Sequence, residues 1–260
     1  NPNYLHLDHE GRELDANDDW ALPGIYRSVW FEITPAELFL ENVEVVTDFD
    51  AQYRNAELKL RAFVMRDADA DFFAPSPPFE VRAILRTREG EEVARAVAAN
   101  AVIAGRHNGR DVPLTMNVRA PAAWTAETPN LYELTVELHN DGQLVHEWRD
   151  QVGFREIATD GGVLRLNGHP INLGGVARHD QHADVGRATR EEHWREDIEL
   201  MKAANINAVR CAHYPPAEGF IRLCDELGLY VLNEIPLGFG GERMGDSNSA
   251  GGVFLRVADV

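Results

Sequence analysis

Three short stretches of this chain place side chains capable of acid–base and ion-pair chemistry at the ends of apolar runs. They are Arg178-His179-Asp180-Gln181-His182, Arg210-Cys211-Ala212-His213-Tyr214-Pro215 and Asn233-Glu234-Ile235-Pro236. An imidazole can pass a proton or hydrogen-bond a hydroxyl, and a guanidinium can hold a carboxylate in a fixed orientation. A glutamate can serve as acid, base or nucleophile. A lone histidine in such a place is more often a structural hydrogen-bonder. Histidine, arginine and glutamate delivered by three successive runs point instead to a site.

The runs that carry these residues alternate with helical patterns. Residues 171–176, 208–210 and 229–233 read as strands. Between them, 190–204 places Trp194, Ile198 and Met201 on one helical face, and 217–227 reads as a second helix. Strand–helix–strand–helix–strand is the pattern of a parallel α/β fold. In a barrel of that class, functional side chains sit at the C-terminal ends of the strands. Closure needs eight strands, so 156–260 reads as the opening part of a (β/α)₈ TIM barrel, incomplete as it stands.

Upstream, the period is shorter. Candidate strands at 43–47, 57–64, 79–86, 92–98, 112–117, 131–138 and 144–152 are separated by turn signals such as Ala74-Pro75-Ser76-Pro77-Pro78, Glu89-Gly90 and Asn140-Asp141-Gly142. Over 37–155 this predicts an immunoglobulin-like β-sandwich, without cysteines and so without the intersheet disulfide. A hairpin turning at Asn167-Gly168 follows it. Residues 25–33 alternate and are rich in β-branched and aromatic types, so they read as a strand, the tail of a sheet belonging to 1–36. The fold class is multidomain β plus α/β.

Composition narrows the partners. Basic residues number 25 against 43 acidic ones, for a net charge of −18. So acidic a surface argues against nucleic acid or an anionic membrane as partner. No apolar stretch is long enough to span a bilayer. Lys59 and Lys202 are the only lysines. Cys211 and Cys224 lie in apolar segments with no zinc-like spacing around them and read as buried free thiols. The compartment stays open.

One stretch carries a resemblance along its whole length. Asn207-Ala208-Val209-Arg210-Cys211-Ala212-His213-Tyr214-Pro215, continuing through Phe220-Ile221, Asp225 and Gly228-Leu229-Tyr230-Val231-Leu232, resembles a signature of family 2 glycoside hydrolases, which include β-galactosidases, β-glucuronidases and β-mannosidases. Supporting stretches are Val152-Gly153-Phe154-Arg155-Glu156, Leu166-Asn167-Gly168-His169-Pro170 and Gly174-Gly175-Val176-Ala177-Arg178-His179-Asp180. Trp20…Gly24-Ile25-Tyr26-Arg27 is similar to the end of the family's N-terminal jelly-roll sugar-binding domain. Trp124…Pro129-Asn130-Leu131-Tyr132 is similar to a stretch of its sandwich domain.

The resemblance implies retaining hydrolysis of terminal β-glycosidic bonds by two glutamates about 5 Å apart. It places the acid/base after barrel strand four and the nucleophile after strand seven, so both are expected beyond Val260, and this chain alone is expected to be inactive. Asn233-Glu234 mimics the acid/base pair but stands at strand three, so Glu234 is expected to support, by orienting Arg210 or a histidine. The resemblance gives His179 and His213 to the sugar, with Arg210 beneath the catalytic carboxylates. Asp18 matches an acidic residue that the N-terminal domain extends into the site, and Asp180 and His182 are weaker candidates. Relatives use Mg²⁺ and Na⁺, but Pro236-Leu237-Gly238-Phe239-Gly240 lacks the Glu and His that bind magnesium in the best-known bacterial β-galactosidases. The implied partner is a β-linked glycoside or oligosaccharide. The sugar is left open between galactose, glucuronic acid and mannose, and a full-length form is compatible with a homo-oligomer. A non-catalytic carbohydrate-binding module is the alternative of another class.

Overall fold

The structure, a computed structural model, describes residues 25–35, 37–67, 70–212 and 214–234, and the backbone of 253–256. Contacts divide these residues into two compact units, 31–172 and 25–30 with 173–256.

In the first unit, the strands are β1 (Leu38–Phe49), β2 (Asn55–Arg66), β3 (Phe79–Arg86), β4 (Glu92–Ala101), β5 (Gly109–Arg119), β6 (Tyr132–Asn140) and β7 (Gln143–Val152). They pair antiparallel into two sheets, ordered β1-β2-β5 and β4-β3-β6-β7, which is an immunoglobulin-like sandwich. Alternation builds its core: Ala56, Leu58, Leu60, Ala62 and Val64 of β2 are buried while the residues between them are mostly exposed. Val112, Leu114, Met116 and Val118 repeat the pattern on β5, and Leu134, Val136 and Leu138 close the core from β6. Trp124, fully buried, donates its backbone N–H to Phe154 O at 2.8 Å. Gly153 is required beside it, because a Cβ there would lie 2.9 Å from the Trp124 Cβ.

The hairpin follows, as β8 (Ile157–Asp160), β9 (Val163–Leu166) and β10 (His169–Pro170). Asn167 (φ 49°) and Gly168 (φ 77°) both take the left-handed conformation that this two-residue turn demands. The Asn167 side chain accepts the Glu156 N–H at 2.8 Å and donates to Trp124 O at 3.2 Å. The turn residue thereby pins the hairpin to the buried tryptophan. The strand expected over 25–33 is absent. Phe31 and Ile33 are 96% and 92% exposed, and among the described residues no strand offers this run a backbone ladder.

The second unit holds β11 (Gly175–Arg178), α1 (Glu191–Ala203), β12 (Ala208–Cys211), α2 (Glu218–Leu227), β13 (Tyr230–Glu234) and β14 (Val253–Arg256). Strands β11, β12 and β13 are parallel neighbours joined through the helices, the opening of a (β/α)₈ barrel. β11 begins four residues later than the apolar run 171–176 suggests. The Ile171 N–H is drawn back to Leu164 O at 3.0 Å, completing the hairpin, and the Gly174 N–H goes to Asn207 Oδ1 at 2.8 Å. Arg178 is therefore a strand residue rather than the first residue of a loop. β14, unforeseen in the sequence, pairs antiparallel with β13, whose outer edge presents backbone groups to any apolar run that can reach them.

Ile198 of α1 and Phe220, Leu223 and Cys224 of α2 pack on Val209, Cys211 and Val231 of the strands. α1 carries Glu191 and Glu192 in its first turn, where the helix dipole favours them. α2 ends at Gly228 (φ 78°), and the N–H groups of Gly228 and Leu229 both reach Cys224 O at 2.9 Å. No described helix is long and apolar enough to cross a membrane.

Both cysteines are free and buried in this second core. Burial pushes the Cys211 thiol up to about 12 and raises Cys224 as well. A thiolate is the reactive form. A disulfide-exchange reagent at pH 8 is therefore expected to leave both thiols unmodified in the native chain and to label both after denaturation. Fast native labelling of either one contradicts this packing. An unfolded thiol loses its proton near pH 8.5 while the folded one keeps it, so stability should fall as pH rises from about 9. Urea midpoints at pH 8 and pH 10 check that sign.

Candidate active site

Period two decides which side chains share a face of the parallel sheet. Val209, Cys211 and Val231 point toward the helices, so Arg210 and Leu232 point away from them. Register pairs Arg210 with Ala177 on one side and Leu232 on the other. Glu234, two residues past Leu232, lies on the same face and at the strand's C-terminal end. Arg210 Nε donates to Glu234 Oε1 at 2.5 Å. Glu234 is the more buried partner, with its side chain 12% exposed against 42% for Arg210. A short charge-assisted bond of this kind fixes both groups.

The opposite face carries a buried ion-pair network. Arg178, at the end of β11, donates from Nε to Asp197 Oδ2 at 2.7 Å and from Nη1 to Asp180 Oδ1 at 3.1 Å. Its guanidinium lies over the Phe220 ring, 4.4 Å from the centroid. Asp180 Oδ1 also accepts the Thr189 hydroxyl at 2.6 Å, and Thr189 in turn accepts the Trp194 indole N–H at 2.8 Å. Arg27 approaches Asp180 Oδ2 at 3.5 Å and donates to Pro215 O at 2.8 Å. Asp180 is thus a structural anchor for the loop after β11. Its burial is what the sequence did not disclose, since a carboxylate at a strand end looks the same whether it faces a ligand or a helix.

His179, the residue after Arg178, is half-buried, and its ring meets that of Tyr214 at 6.2 Å in a T-shaped arrangement. Tyr214 OH also accepts the Asp180 N–H at 3.2 Å. His182 packs against His193 of α1 at 4.4 Å, and its Nδ1 accepts the Asp184 N–H. Of the five residues expected at the site, the structure brings Arg210 and Glu234 into contact and sets His179 against Tyr214. His213 and Asp18 lie outside the described residues, as does 236–240. Among the described residues no three His, Cys, Asp or Glu side chains are spaced to hold a metal.

A cavity of about 750 Å³ opens beside the loop after β11, walled by Tyr26, Arg27, Trp30, Arg187 and Trp194. Neither Arg210 nor Glu234 lines it, so its size does not make it the seat of the chemistry.

Comparison with known proteins gives this geometry a context. A family profile described as "Glycosyl hydrolases family 2" matches residues 38–155, and another, "Glycosyl hydrolases family 2, TIM barrel domain", matches 157–250. A β-galactosidase of Lactobacillus delbrueckii subsp. bulgaricus is 35% identical over 224 residues, covering 86% of this chain and 21% of that protein. A β-galactosidase of Klebsiella pneumoniae (strain 342) is 37% identical over 227 residues, with the same coverage. The chain spans about a fifth of the length of these relatives. Among solved structures, a glycosyl hydrolase family 2 member from Bacteroides cellulosilyticus DSM 14838 superposes with a TM-score of 0.69 at 25% identity, covering 76% of this chain and 27% of that one. A Bacteroides uniformis β-glucuronidase gives 0.68 at 26%, covering 78% and 24%.

The Arg178 network makes a stability prediction. Asp180→Asn keeps the shape but removes the charge facing a buried guanidinium, at an expected cost on the order of 3 kcal/mol. Asp197→Asn, at the 40%-exposed partner, should cost less than about 1 kcal/mol. Urea unfolding of the two variants checks the ranking, and equal losses contradict it.

Proposed function

Because the chain belongs to glycosyl hydrolase family 2, we propose that its barrel strands supply one wall of the sugar pocket of an exo-acting β-glycosidase, galactosidase-like in preference. The observation that carries this reading is the Arg210–Glu234 bond at the C-terminal ends of adjacent parallel strands. Residues 1–36, 37–155 and 156–260 are read as the end of a jelly-roll domain, the sandwich and the start of the catalytic barrel.

In this reading the reaction is retaining and uses two glutamates, an acid/base and a nucleophile, both carried beyond Val260. Glu234 is neither. It stands at the end of the third parallel strand, and its Oε1 accepts an N–H from Arg210, which suits a carboxylate that orients a guanidinium. Arg210, held in this way, places a fixed positive charge beneath the reacting carboxylates. His179 and His213 hydrogen-bond the ring hydroxyls, and those bonds tighten as positive charge develops on the sugar. Asp18 adds an acceptor from the N-terminal segment. The name β-galactosidase on the relatives with the higher identity supports a galactoside, and the β-glucuronidase among the structural neighbours makes a glucuronide the second choice.

Assays on 4-nitrophenyl β-galactoside and β-glucuronide test this. The whole protein should cleave at least one, the galactoside faster, while the purified 260-residue chain should give no turnover above blank. Turnover by that chain alone overturns the assignment of both glutamates elsewhere. Inactivity of the whole protein on both, and on 4-nitrophenyl β-mannoside, overturns the glycosidase reading. His179→Ala should lower kcat/KM of the whole protein by about a hundredfold.

A further inference from the structure

We propose that Arg187, in the loop between β11 and α1, is a positioning residue for His179, acting through Tyr214; this rests on the reading of His179 as a sugar contact. The Arg187 guanidinium lies over two aromatic rings, 4.3 Å from the centroid of Tyr26 and 4.5 Å from that of Tyr214. Its Nη2 also points at the Tyr26 hydroxyl, at 3.4 Å. A planar, delocalised cation between aromatic faces holds their spacing and tilt, which a lysine ammonium cannot reproduce.

Tyr214 passes that constraint on. Its ring meets His179 at 6.2 Å and 70°, and its hydroxyl accepts the backbone N–H of Asp180, the next residue along. The backbone on either side of His179 is already fixed, by Arg178 in the buried ion-pair network and by Asp180 in the same network. Anchoring the backbone leaves the imidazole's χ1 and its broad χ2 torsion to be set by the groups around the ring. The Tyr214 ring is one of those groups, and Arg187 keeps that ring in place. The sequence hid this connection, because the three residues stand in separate segments and none beside another.

A merely structural role for Arg187 predicts a loss that is independent of His179. Positioning predicts a loss that disappears once His179 is gone. In the whole protein, Arg187→Met should lower kcat/KM on the preferred nitrophenyl glycoside about tenfold, and in a His179→Ala background by less than about twofold. Arg187→Lys keeps the charge without the planar stack. It should show the same dependence on His179 with a smaller loss, and it serves in place of Arg187→Met should that variant fail to fold. Equal losses in both backgrounds, or no loss with His179 present, overturn the positioning role while leaving the site reading intact. A His179→Ala variant as active as the wild type overturns the site reading, and this inference with it.

Discussion

A guanidinium removed from water has to be surrounded by partners, and the loops at the C-terminal ends of β11 and β12 are arranged around that requirement at Arg178. Its side chain is only 7% exposed. Asp197 reaches it from α1, Asp180 from the loop after β11, and the Phe220 ring from α2 covers it. Removing one partner of such a group leaves a buried charge uncompensated, which is far more costly than never having buried it. The same carboxylate that answers Arg178 also holds Thr189, and Thr189 holds Trp194, so one buried charge ties together a strand end, a loop and the first turns of α1.

The alternation of a strand then does the rest. Arg178 faces the helices, so the chain that leaves it can present His179 elsewhere. In the next two strands Val209, Cys211 and Val231 take the helix-facing positions, which turns Arg210 and Glu234 to the other side. Ion pairs on the two faces have different work. Arg178 is 7% exposed and its network is structural, whereas Arg210 stays 42% exposed.

Much of this was legible in the sequence, for identifiable reasons. Seven alternating strands, the Asn167-Gly168 turn and both helices follow from period and turn chemistry, which are local. The helix expected over 217–227 is α2, Glu218–Leu227, which ends where Gly228 adopts its left-handed conformation. Failures came where partners are remote. The run at 25–33 has strand-like residues but no ladder to join among the described residues. Residues 171–176 look like one apolar strand, yet Leu164 takes Ile171 away from it. Arg178 and Asp180 read as rim residues, because nothing local distinguishes a carboxylate turned toward Thr189 from one turned toward a ligand. The contact between Arg210 and Glu234 depends on parallel register, which only the assembled sheet defines. His213 and Asp18 remain assignments by resemblance.

A crystal structure of the whole protein with a galactose-configured, transition-state-like inhibitor is the most direct measurement of the central claim, that these strand ends form a wall of a sugar pocket with Glu234 in a supporting place. The account predicts the sugar ring within hydrogen-bond distance of His179, with Glu234 still bonded to Arg210 and two other carboxylates flanking the anomeric carbon. A sugar bound away from these strand ends, or Glu234 released from Arg210 and directed at the glycosidic oxygen, would contradict it.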